Sequence, residues 1–240
     1  MLTKEDFALA KNIIKDLRLP EEMGCDSGDD EFNTDIIYNA MRESPLKWNE
    51  FTVENGISKV VIIPNDANFV IKIPLTGMWY YEETYNEEED EWEYNEDPTF
   101  ECFTGAEYGN CGCDYCDDEV YRIGMAEAEG FGKMFPQTDW LANMNGKNFY
   151  IQEKVHPSRE YTPKVSEESR SKSANLDPSY CHGSAEWRAA IIENYGEEFW
   201  KNFCIWDSAE GGTMRDMHCG NYGYNMEGKP VIFDASGFES

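Results

Sequence analysis

The sequence predicts an α+β fold, with strand-like and helix-like patterning confined to separate stretches of the chain. Three observations predict it. β-Branched runs cluster between Phe51 and Ile73. Apolar residues recur at helical spacing from Asp118 to Phe135 and from Ser184 to Phe203. Two short strands, Tyr222–Tyr224 and Val231–Phe233, flank a glycine-containing turn near the end.

The elements follow in order. Residues 3–18 form an amphipathic helix: Thr3 caps it, Asp6 lies in its first turn, and Phe7, Ala10, Ile13, Ile14 and Leu17 make one stripe. Asn33 to Met41 reads as a second short helix before Ser44-Pro45. Phe51–Val53, Val60–Ile63 and Phe69–Ile73 are strands, with Pro64-Asn-Asp66 as a turn between the last two. No Lys or Arg occurs between Lys72 and Arg122, and Glu82 to Asp97 reads as a solvated acidic insertion carrying interleaved aromatics. Val120, Ile123, Ala126 and Phe131 then share a helical face, and Asn148–Val155 is a strand. Residues 156–183 read as polar loop. Ser184 caps a helix through Trp187, Ala190, Ile191 and Tyr195, which continues past Gly196 to Phe203.

Composition bounds the function. Apolar residues make up 40% and aromatics 14%, which implies a packed core. The net charge of -28 repels phosphate backbones, so nucleic acid is not an expected partner. The charge serves solubility, or a surface that docks a basic partner. No apolar run approaches the ~20 residues of a membrane span. The opening Met-Leu-Thr-Lys-Glu-Asp lacks a signal-peptide core, so a cytoplasmic location is expected. Among the eight cysteines, Cys102, Cys111, Cys113 and Cys116 lie close together with interspersed glycines, a spacing that could wrap a tetrahedral zinc; free thiols are the alternative.

The segment from Arg215 to Phe238 carries chemistry. Asp216 is followed five positions later by Asn221, and Asp234 directly follows the strand Val231-Ile-Phe233 and precedes Ala-Ser-Gly237. This pattern resembles the catalytic core of the protein-kinase-like superfamily. Its Asp-Met-His-Cys-Gly-Asn form is closest to the atypical and small-molecule branch, such as aminoglycoside and choline kinases. It is also similar to short kinase-like proteins of bacteria and phages, for which the location would be the host cytoplasm. Upstream, Phe69-Val-Ile-Lys72 resembles the family's lysine-bearing strand.

The resemblance implies a two-lobe protein-kinase-like fold with a reduced C-lobe, binding ATP and magnesium. Residues 1–45 would be a helical extension and residues 46–155 the N-lobe, with an acidic, Cys-rich insertion at about 76–117. Residues 156–240 would be the reduced C-lobe. Asp216 would orient the attacking hydroxyl, with His218 bracing its loop. Asn221 and Asp234 would supply oxygen ligands to magnesium. Lys72 would contact the α- and β-phosphates. Asn55 to Lys59 stands where the glycine-rich loop belongs; it has only Gly56, with the amides of Ile57 and Ser58 and the Lys59 side chain available to phosphate. Glu119 would pair with Lys72, with Glu127 and Glu129 as rivals. Gln152 to Val155, including Glu153, would be the hinge along the adenine edge.

The sequence ends six residues after Asp234, so a substrate platform must come from residues 1–45, the insertion or a partner chain. The acceptor, a small molecule or a protein, stays open. Three readings follow: an ATP- and magnesium-dependent phosphotransferase, a pseudokinase that uses the same pocket as a nucleotide sensor, and an acidic decoy for a basic protein surface.

Overall fold

Strands rich in β-branched residues build the largest sheet, and helices gather elsewhere along the chain. The computed structural model describes residues 1–19, 24–26, 41–55, 59–75, 77–80, 83–86, 91–94, 99–102, 115–144, 146–161, 163–211 and 217–235, the strands at 24–26 and 78–102 by their backbone alone. The chain divides into two units. One comprises Leu2–Asp117 and Asp139–Ile151; the other comprises Met1, Asp118–Thr138 and Gln152–Ser240.

The first unit opens with helix α1, Lys4–Asp16. Thr3 Oγ1 accepts the Asp6 N–H and Asp6 accepts the Thr3 N–H in return, closing a capping box over the first turn. Ala10, Ile13 and Ile14 are its buried residues, on the stripe expected from the sequence. Strands β2 (Phe51–Asn55), β3 (Lys59–Pro64) and β4 (Phe69–Pro74) follow a short pairing strand, β1 (Gly24–Asp26). Together with β9 (Thr138–Met144) and β10 (Lys147–Glu153) they form a sheet in the order β2-β3-β4-β10-β9.

Alternation fixes the faces of this sheet. Val60, Ile62, Phe69, Ile71, Ile73, Leu141, Phe149 and Ile151 share a core with the α1 stripe. Lys59, Val61, Val70 and Lys72 lie on the opposite face of β3 and β4. Strand β9 was not legible in the sequence. It is an edge strand whose one fully buried residue is Leu141, while Trp140 and Asn143 are exposed, so it shows no apolar alternation.

Strands β5 (Gly77–Tyr80) and β8 (Thr99–Cys102) pair antiparallel, and β1 runs parallel to β5. Strands β6 (Glu83–Asn86) and β7 (Glu91–Tyr94) form a hairpin inside the segment read as a solvated acidic insertion. Thr84, Tyr85, Trp92 and Tyr94 favour strands, and the acidic run masked that signal. Residues 33–40 of the expected second helix lie outside the described residues.

The second unit holds most of helix α2 (Tyr115–Ala128), then α3 (Glu167–Ala174), α4 (Ala185–Tyr195) and α5 (Glu197–Trp206). Helix α3 replaces part of the expected loop at 156–183. Its buried residues are Ser169 and Ser173, so it presents no apolar stripe to read. Ser166 caps it, and Glu193 Oε2 accepts from both Ser166 Oγ (2.5 Å) and Ser169 Oγ (2.6 Å). These hydrogen bonds hold the Glu193 carboxyl below its ordinary pKa. The single helix expected across Gly196 is two helices, because Gly196 takes φ 94°, a left-handed conformation open mainly to glycine.

Strands β11 (Val155–Pro157), β12 (Tyr222–Asn225) and β13 (Pro230–Ile232) form a small antiparallel sheet packed against α4. Trp187, Ala190, Ile191, Trp200, Phe203, Tyr222 and Ile232 share its core. Gly223 lies opposite Pro157, and a Cβ built on it would collide with the His156 carbonyl. Backbone cannot swing aside as a side chain can. Gly223→Ala is therefore expected to cost about 3 kcal/mol, and to lower the melting temperature by on the order of 10 °C. Thermal denaturation followed by circular dichroism checks this, and a shift under a degree would contradict the tight β11–β12 contact.

Candidate functional site

The hairpin of β12 and β13 sets the geometry of the candidate metal site. Its register pairs Tyr222 with Ile232 and Tyr224 with Pro230, so Asn221 and Phe233 meet at its open end. The Asn221 carbonyl accepts two N–H groups, from Phe233 at 3.0 Å and Asp234 at 3.2 Å. The main chains of Asn221 and Asp234 are thereby joined, although thirteen positions separate them in sequence. Asn221 is buried and Asp234 half-buried.

The loop before Asn221 is braced from within and from outside. The Asn221 N–H donates to the His218 carbonyl (3.0 Å), and the Gly220 N–H donates to His218 Nδ1 (3.0 Å). That second bond requires the neutral imidazole to carry its proton on Nε2. Ser158, just beyond β11, clamps the loop from outside. Its N–H donates to the Tyr222 carbonyl (3.1 Å) and its hydroxyl to the Cys219 carbonyl (3.3 Å). Nothing in the polar stretch around Ser158 distinguishes it in the sequence; only the β11–β12 pairing reveals its part. Asp216 lies outside the described residues.

Lys72 sits on β4, between β3 and β10, and is 3% exposed. Lys59 is equally buried. It opens strand β3 rather than belonging to the preceding turn, where the sequence reading placed it. Gly56, Ile57 and Ser58 lie outside the described residues.

Glu119 is buried on α2, and its Oε1 accepts from Gln152 Nε2 at 3.2 Å. Gln152 Nε2 also donates to Thr138 Oγ1 at 2.8 Å. The expected hinge residue Gln152 thus acts through its side chain, which helps hold the glutamate. The rivals Glu127 and Glu129 are exposed. Glu153 pairs with the Met1 ammonium at 2.8 Å, and its N–H donates to the Gln137 carbonyl at 2.8 Å.

Of the cysteine cluster, Cys116 is buried on α2, while Cys111, Cys113 and the Cys102 side chain lie outside the described residues. Among the described residues no group of three or more His, Cys, Asp and Glu is arranged to hold a metal ion. Burial pushes the Cys204 thiol up to about 12, so it stays protonated at neutral pH and is no nucleophile.

The donors at the β12–β13 end suit a hard cation: a carboxylate and an amide oxygen on a shared main-chain junction. Among the described residues, no helix is long and apolar enough to cross a membrane. No protein-family model matches the chain, and no curated protein matches it.

Proposed function

We propose that the chain is a kinase-like phosphotransferase, with a two-lobe kinase-like fold and a reduced C-lobe, that moves the γ-phosphate of ATP to a hydroxyl acceptor. The observation that carries this reading is the main-chain junction of Asn221 with Asp234 at the open end of the hairpin. A triphosphate site needs oxygen donors from two loops held at a fixed separation, and joined main chains favour such an arrangement. The order of elements adds support. The Lys72 strand is followed by the Glu119 helix and then by a strand ending at Glu153.

In this mechanism Asn221 and Asp234 would hold magnesium, which would supply charge that neutralises the triphosphate. Lys72 contacts the α- and β-phosphates. Asp216 accepts a hydrogen bond from the acceptor hydroxyl and aligns it with the γ-phosphorus. His218 and Ser158 hold the loop between Asp216 and Asn221 in one conformation. Alignment of the hydroxyl supplies much of the rate, since little covalent work falls to the protein.

Incubation with γ-labelled ATP and magnesium is the test. The expected result is label transferred to the protein or released as phosphate, and abolished in Asp216→Asn. Nucleotide binding without any turnover would instead identify a sensor that uses the same site.

A further inference from the structure

Arginine does not shed its proton on burial, so a guanidinium taken out of water needs an anion or a full set of acceptors. Arg188, at the end of the first turn of α4, is 8% exposed. Its Nη1 donates to the carbonyls of His182 (3.2 Å) and Gly183 (2.5 Å). Its Nε is shielded from water and has no acceptor. Among the described residues Nη2 makes no hydrogen bond and the guanidinium forms no ion pair. Asp207 is the buried carboxylate of this neighbourhood: it and Arg188 act in opposite directions on the Cys204 thiol. It is engaged by a contact of its own and does not pair with Arg188.

The surroundings favour negative charge. Helical side chains lean toward the helix N-terminus, and the bonds to His182 and Gly183 place the guanidinium there, at the positive end of α4. Ser184 Oγ accepts the Trp187 N–H, while the N–H groups of Ala185 and Glu186 have no acceptor among the described residues. The Glu186 side chain is exposed, where water and salt screen it. With Nη1 occupied, Nε and Nη2 remain, and this edge of the fork matches the two oxygens of a phosphate or a carboxylate. We infer that Arg188 and the first turn of α4 bind the oxyanion, phosphate or carboxylate, of a small molecule. The Ser184 N–H donates to the Tyr222 hydroxyl at 2.9 Å, which ties this turn to the strand that follows Asn221. Under the phosphotransferase reading the anion belongs to the acceptor and anchors it. Binding of the anion does not depend on that reading.

The test is a nuclear magnetic resonance titration of the full chain at constant ionic strength, with sodium phosphate, sodium acetate and sodium chloride. The Arg188 Nε–H signal, assigned through its own side chain, is expected to shift and saturate with phosphate or acetate and to stay in place with chloride. Whichever binds more tightly identifies the oxyanion. Arg188→Gln loses the charge but keeps a donor for the two carbonyls. Followed at the Ala185 and Glu186 amides, it should bind about tenfold to a hundredfold more weakly, the worth of a charge-assisted hydrogen bond. Arg188→Lys keeps the charge without the fork and should recover only part of the affinity.

A wild-type Nε–H that responds to neither phosphate nor acetate overturns the site and leaves Arg188 as a pin for the turn at 182–183. So does a folded Arg188→Gln that binds like the wild type. Circular dichroism establishes whether that variant folds, and if it does not, the wild-type Nε–H titration decides. A chain that binds phosphate or acetate at Arg188 but no Mg-ATP overturns the functional reading and the acceptor role, and upholds the anion site.

Discussion

Lys72→Met is expected to leave the chain folded while weakening Mg-ATP binding by about tenfold to a hundredfold. The lysine stem lies on β4 in the middle of a five-stranded sheet, opposite Val61 of β3. Methionine matches its length and fills the same space with a thioether that needs no counter-charge. What disappears is the positive charge proposed to meet the α- and β-phosphates. Titration calorimetry beside a thermal melt separates the two effects. A folded Met variant that binds Mg-ATP as the wild type does would show that β4 is not the phosphate-binding strand.

Trp187→Ala carries the largest expected effect on stability, a loss of about 4 kcal/mol. Trp187 is fully buried on α4. It meets Trp200 edge-to-face, with ring centroids 5.6 Å apart, and lies 4.6 Å from Tyr222. Its Nε1 donates to the Gly223 carbonyl at 3.0 Å. Alanine would leave a cavity and remove the indole's hydrogen bond to the Gly223 carbonyl. Because β12 begins directly after Asn221, the damage should spread to the candidate site. Urea denaturation measures the first part, and hydrogen exchange at Tyr222 and Tyr224 measures the second. Trp187→Phe keeps most of the volume and should cost about half as much. If the alanine variant unfolds at the wild-type urea concentration, Trp187 does not anchor this sheet.

Much of this arrangement is legible in the sequence where one physical signal dominates. The β-branched runs at 60–63 and 69–73 become β3 and β4, and Thr3 with Asp6 becomes the capping box of α1. The spacing of Asn221 and Asp234 around two apolar segments foretells the hairpin that joins them. Elsewhere the signal is weak because burial there is not apolar. Helix α3 buries serines, and β9 buries one leucine at a sheet edge, so neither shows a stripe.

The site follows the same rule. Lys59 looks like a loop residue because Gly56 precedes it, yet β3 pairing starts at Lys59 and buries it. Gln152 reads as part of a hinge supplying backbone groups, whereas its side chain holds Glu119. Ser158 clamps the Asn221 loop through contacts made 61 positions away in sequence, which no local pattern encodes.

The most direct measurement of the central claim is the melting temperature with and without Mg-ATP, in the wild type and in Asp234→Asn. A ligand that binds the folded state alone at a hundredfold excess over its Kd adds about 2.7 kcal/mol. For a chain of this size that is a rise of roughly 5–10 °C. The account predicts this rise in the wild type, its loss when EDTA removes magnesium, and its near absence in Asp234→Asn. An unchanged wild-type melting temperature in millimolar Mg-ATP, or an equal rise in Asp234→Asn, would contradict it.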